Sequence, residues 1–223
     1  MATPFEREFE TPQPHTSTEL VTFKSPDGKE VVLHARPLAH ESLYFHTALN
    51  SSFQEATTRV FDLQEHCSDV VLEGFVTWVY LRSSGAAYSV TTLPFLDELC
   101  HQGLVRAWLF GDYIGAPAFQ DDLMQLMVGY DAELLYPGHD GGFQHCVPED
   151  SPLERYFVDR LCSLIFRIDN EEWSDEIIDW ATPDVAIKVC KKLSRKIWNY
   201  SGEEEDDIRY FAVHPFTKYK VEE

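Results

Sequence analysis

The stretch VVLHARPLAHESLYFHTALNSSFQEA, residues 31–56, places His34 where an apolar run gives way to a helical pattern. An imidazole there could bind a metal, exchange a proton or brace the turn. Catalysis would need a second group within hydrogen-bond reach, and no such group stands beside it in the sequence. The pairs His66-Cys67 and Cys100-His101, with His139, His145 and Cys146, lack the short paired spacing of a four-ligand zinc site, so no metal is expected. GHDGG (138–142) resembles an oxyanion loop, but such an esterase also needs G-x-S-x-G to expose its serine, and the chain lacks that motif. Asp121-Asp122 and Glu171-Glu172 are sequence neighbours, so on a helix they diverge and cannot address one substrate. Neither a P-loop nor GxGxxG occurs, and no cofactor is expected. Lys188, Lys191, Lys192, Arg195 and Lys196 form a basic stripe. It reads either as an anion or import patch or, preferably, as the complement of its helix dipole and of the acidic run 203–207.

The totals narrow the class. With 44% hydrophobic residues and 13% aromatics, the 223-residue chain can bury a core. Thirty-eight acids against 18 bases give a net charge of −20. Such a surface repels phosphate backbones and anionic lipid, so nucleic-acid and membrane partners are not expected. Five widely spaced cysteines, without a CxxC, read as reduced thiols. MATPFEREFE lacks the apolar centre of a signal peptide, and no apolar run reaches the roughly 20 residues of a membrane span. An intracellular protein of the cytoplasm or nucleus is expected. The two glycosylation sequons, at Asn50 and Asn199, then read as chance.

Local pattern supplies the elements. Residues 1–17 are a polar, proline-bearing lead-in. LVTF (20–23) and EVVLH (30–34), joined by the turn SPDG, predict a hairpin. Pro37 suits a first helical turn, and Leu38, Ser42, Phe45 and Leu49 continue at helical spacing. TRVFDL (58–63) alternates as a third strand. Ser68-Asp69 cap a helix whose inner face is Val71, Phe75, Trp78 and Val79, and SSG (83–85) ends it. Helical patterns follow from Thr92 and Pro94 through Gly103, over 105–114, and at Phe119 to Met127 beyond the break GAP. Residues 131–150 are a Gly/Pro-rich linker. Residues 151–200 carry three more helical patterns, and 201–223 an acidic tail whose IRYFAVHPF could dock as a strand. Strands first and helices after predict an α+β fold.

That order, with these residues, resembles the BTB/POZ family, in particular its short fungal members. The first motif is the apolar strand followed by His34, Leu38, Ser42 and Phe45, with FQEA (53–56) in place. FVTWVYLRSSG (75–85), LVRAWLFGDYIGAPAFQDDLM (104–124) and SPLERYFVDRL (151–161) are similar to three later helical segments. The likeness covers residues 18–130 well and 150–200 more loosely. Ala35 stands where the family usually has a basic residue, and LRSSG where it has Thr-Gly. The lead-in lacks the apolar stripe of the helix that swaps between subunits in dimeric members.

The resemblance implies a small three-stranded sheet packed with a cluster of helices, plus a C-terminal helical extension. His34, Leu38, Ser42, Phe45, Trp78 and Tyr80 then organise the fold, with His34 ending a buried strand and donating to a neighbouring carbonyl. It also implies a non-catalytic module that binds other proteins through a strand edge and a helix face. Val71 and Glu73 on the helix, and Phe61 and Leu63 on the third strand, are the candidate contacts. Val71-Leu72-Glu73 fits the hydrophobic-x-Glu step of adaptors for cullin-type ubiquitin ligases, although a register one later puts Gly74 there. A self-associating scaffold and a transcription-related BTB protein without a ligase role are the alternatives.

Overall fold

The computed structural model describes residues 19–25, 27–85, 101–129, 147–167 and 183–199. Over these the chain is α+β, with one three-stranded mixed sheet and eight helices. It divides into two compact units between residues 89 and 90, inside the span 18–130 that the resemblance gives to one domain. The lead-in, the helix expected from Thr92, most of the linker, the pattern over 173–180 and the tail lie outside the described residues.

In the first unit β1 (Leu20–Lys24) and β2 (Glu30–His34) pair antiparallel, with Leu20 opposite His34 and Thr22 opposite Val32. The turn closes where Gly28 N–H meets Ser25 O at 2.9 Å, and φ of +74° there suits glycine. Alternation sends Val21, Phe23 and Leu33 inward and leaves Leu20 and Val32 on the open face. β3 (Val60–Asp62) runs parallel to β1, giving the order β2-β1-β3. Parallel pairing requires a crossover. Here it is made by three short helices, α1 (Ala35–Glu41), α2 (Leu43–Leu49) and α3 (Gln54–Thr58).

The periodicity of Leu38, Ser42, Phe45 and Leu49 predicts one helix, and the structure makes two. Ser42 is extended (φ −139°, ψ 125°); its N–H closes α1 on Leu38 O, and its Oγ accepts from Phe45 N at 3.3 Å to begin α2. A serine offers the backbone this alternative to a continuous helix. The resulting change of direction sends both Leu38 and Phe45 into the core. Pro37 is the third residue of α1, not its first, which still lies among the N–H positions that need no intrahelical partner.

α4 (Asp69–Ser83) starts on Ser68, whose Oγ accepts from Val71 N, and ends before Gly85 at φ +65°. An aromatic chain joins sheet to helix. Phe23 stacks on Phe45 at 5.1 Å, Phe45 meets Phe61 edge-on at 5.1 Å, and Phe75 stacks on Trp78 at 5.9 Å. Each such pair adds about 0.5–1.5 kcal/mol to its burial. Arg82 lies over Trp78 and reaches Glu41 at 2.8 Å, tying α4 to α1.

The second unit contains α5 (His101–Tyr113), α6 (Pro117–Gly129), α7 (Pro152–Arg167) and α8 (Pro183–Asn199). α5 ends in a Schellman turn. Ala116 N–H reaches Gly111 O, Gly115 N–H reaches Asp112 O, and Gly115 has φ +59°. The Tyr156 hydroxyl and Arg160 guanidinium of α7 serve the last carbonyls of α6, at Met127 (2.8 Å) and Val128 (3.4 Å). Val158, Leu161, Cys162 and Val189 form the α7–α8 core.

Gly111 lets α5 and α6 approach closely. A Cβ there would stand 2.8 Å from Gln120 Cγ and 3.3 Å from Phe119 Cδ1. Gly111→Ala is expected to lower stability by about 1–3 kcal/mol, read as an earlier urea midpoint. An unchanged midpoint would show that Gln120 yields freely.

Candidate interaction surface

The main chain of β2 sets the geometry. Ala35 N–H bonds Glu19 O across the hairpin, so by alternation the N–H of His34 points away from β1. Tyr80 of α4 brings its hydroxyl there, accepting that N–H at 3.1 Å and lying 3.0 Å from His34 Nδ1. A phenol has two lone pairs and one proton. With one lone pair given to the main chain, its proton completes the pair when Nδ1 is bare. The two rings meet edge-on at 6.0 Å.

Two of the fold-organising residues therefore meet each other. The expected carbonyl partner of His34 is corrected to the Tyr80 hydroxyl, and the histidine is half-buried because it stands at the rim of the open face. Leu38, Phe45 and Trp78 are core residues, and Ser42 is the buried cap.

The interaction candidates separate by burial. Val71 is 1% exposed, and Phe61 and Leu63 are equally enclosed, so these three are core and not contact surface. Inward alternation on β3 buries Phe61, and helical phase buries Val71. Glu73 is exposed, and both Leu72 and Gly74 are buried. The hydrophobic-x-Glu step thus offers a partner its carboxylate alone.

Three of the exposed large hydrophobic side chains gather about His34, while Leu43, Phe53, Tyr113 and Ile187 are exposed at other positions. Leu20 (49% exposed) is the cross-strand neighbour of His34, Val32 (52%) is two residues before it on the same face, and Tyr80 (38%) touches it. These form one patch on the rim of the sheet and α4. Periodicity marked both strands as apolar. The hairpin register puts Leu20 and Val32 on one face, which the turn signal could have shown, and packing of the opposite face leaves this one open.

At the hairpin's other end Asp27 N–H approaches Asp69 Oδ1 at 3.5 Å. The Asp27 carboxyl is pushed above its ordinary range, first by a hydrogen bond to Asp69 and then by that carboxylate's charge. Asp69 is pulled down, chiefly by the same bond. α4 is thus fastened along the hairpin at Asp69 and at Tyr80, about 16 Å apart on a helix rising 1.5 Å per residue.

Two lysines of the basic stripe are paired within the second unit. Lys188 reaches Glu154 at 2.7 Å and Asp150 at 3.0 Å, and Lys192 pairs with Asp159. The preferred reading of the stripe as a complement to its own helix end and acidic tail gives way, for these two lysines, to pairing with α7 and the loop before it. Among the described residues no group of three or more His, Cys, Asp or Glu is placed to hold a metal. No helix there is long and apolar enough to cross a membrane. His139, His145, Cys146 and GHDGG lie outside the described residues. Protein-family models, curated proteins and solved structures yield no match to this chain.

Tyr80→Phe leaves His34 N–H without its acceptor. It is expected to cost about 0.5–1.5 kcal/mol while the far-ultraviolet circular dichroism stays unchanged; no loss would mean that water replaces the hydroxyl. Burial, aided by Asp69, pushes the Cys67 thiol from 9.0 up to about 12. Its protonated form therefore adds stability that is complete below pH 9 and lost as pH climbs through 12. At pH 8 iodoacetamide should modify exposed Cys190 well before half-buried Cys67, as peptide mass mapping would record.

Proposed function

We propose that this chain is a BTB/POZ-type, non-catalytic protein-interaction module acting inside the cell. Its element order, β-hairpin, short crossover helices, parallel third strand and long helix, agrees with that reading. So do the structural positions of His34, Leu38, Ser42 and Phe45. The observation that carries the interaction role is the contiguous exposed patch of Leu20, Val32 and Tyr80 around His34. A few residues, tyrosine prominent among them, supply most of the binding energy at protein interfaces, so Tyr80 is the anchor and Leu20 and Val32 are the apolar surround that excludes water. Partners are other proteins.

Within this reading an adaptor role on a cullin-type ligase would use Glu73, since Val71 is enclosed. Self-association would have to overcome a net charge of −20 on each copy.

Affinity purification with mass spectrometry, comparing the wild type with Leu20→Asp/Val32→Asp, tests the patch. Partners retained by the wild type and lost by a folded variant are expected, and identical recoveries would place the contact elsewhere. A cullin in the wild-type set that disappears with Glu73→Lys identifies the adaptor role. A monomer in sedimentation velocity at micromolar concentration excludes the self-associating scaffold.

A further inference from the structure

The exposed stripe of α4 is polarised along its length. Asp69, Glu73 and Tyr80 are separated by four and seven residues, which at 100° per residue puts them within about 40° of one another on the helix. The Tyr80 end adjoins Leu20 and Val32 through His34. The other end holds Asp69 with Asp27 against it, and Glu73 one turn on. Lys29 is the cation whose charge acts on the aspartate pair, and among the described residues no ion pair engages Glu73.

Resting on the interaction reading above, we propose that this stripe docks an extended or helical segment of another protein that carries an apolar side chain for Leu20, Val32 and Tyr80 and a lysine or arginine for Asp27, Asp69 and Glu73. The Asp27 main chain stands against the Asp69 carboxylate, so the two acids lie close together and their negative charges repel. A cation from the partner relieves that repulsion. It also joins three acids that have too little positive charge of their own. The tyrosine and the carboxylates stand about 10–16 Å apart, two to three helical turns, so one short segment spans both. The excess of 38 acids over 18 bases draws such a segment in from a distance, more strongly at low salt.

Fluorescein-labelled short peptides of three classes test this on the full chain: leucine- and valine-bearing peptides with Lys/Arg, with Asp/Glu, or with Ser/Asn. Binding measured by anisotropy is expected for members of the basic class, falling as salt rises. It should weaken by about tenfold or more with Leu20→Asp and, separately, with Asp69→Asn or Glu73→Lys, each checked for fold by circular dichroism. Equal binding by the neutral class, or indifference to both acid substitutions, overturns the inference. If Leu20 then still matters, the patch remains an interaction site without a charge requirement. If no class yields binding that responds to any of the substitutions, both readings fall. Saturable calcium or magnesium binding that disappears with Asp69→Asn would assign the acids to a metal and also overturn the proposal.

Discussion

A strand at the edge of a sheet points every second N–H away from its neighbour, and each of these donors needs an acceptor. At His34 that requirement is met by a side chain 46 residues further on, the Tyr80 hydroxyl. One oxygen serves the main chain and the imidazole of the same residue, so it fixes where β2 stops and where α4 lies. The edge is closed at the point where the chain turns into α1, which removes one template for unwanted strand pairing. Because the bond lies at the rim, the residues that make it also frame the exposed patch. Architecture and the exposed apolar patch thus share a contact.

The second unit solves the same problem at a helix end. The carbonyls that close α6 have no partners within their helix, and Tyr156 and Arg160, one turn apart on α7, supply donors. Burial holds the Tyr156 phenol above its ordinary range, so the donor remains protonated. The start of α7 is held by Ser151, which accepts from Glu154 N, and by Glu154 Oε2, which accepts from Asp150 N at 2.7 Å. The same carboxylate receives Lys188. This buried acid is acceptable because its Oε2 accepts from both a backbone donor and a cation.

Much of the local structure was legible. The hairpin followed from alternation around SPDG, α4 from Ser68 and its apolar face, and the break between α5 and α6 from GAP. The spacing of Ser42 from Leu38 fits one helical turn, yet Ser42 is the extended residue between α1 and α2. Spacing does not reveal that a serine hydroxyl will take the next helix's N–H. Ser151 and Glu154 form an S-x-x-E signal for the start of α7. Among the candidate contacts, Phe61, Leu63 and Val71 have the composition of an apolar anchor. Interfaces and cores are built from the same residue types, so composition could not separate them.

By itself the sequence determined which segments become strands and helices, where they are capped, and that the chain is strongly acidic. These depend on neighbours within a few residues, on side-chain period and on turn chemistry. Only the tertiary structure decided that Tyr80 meets His34, that Asp69 faces Asp27, that Lys188 belongs to Glu154, and which apolar residues remain outside. Each of those contacts joins residues 34 to 46 positions apart. Their approach depends on how α4 lies along the hairpin and how α8 packs on α7, and packing of whole faces sets that, not the residues between.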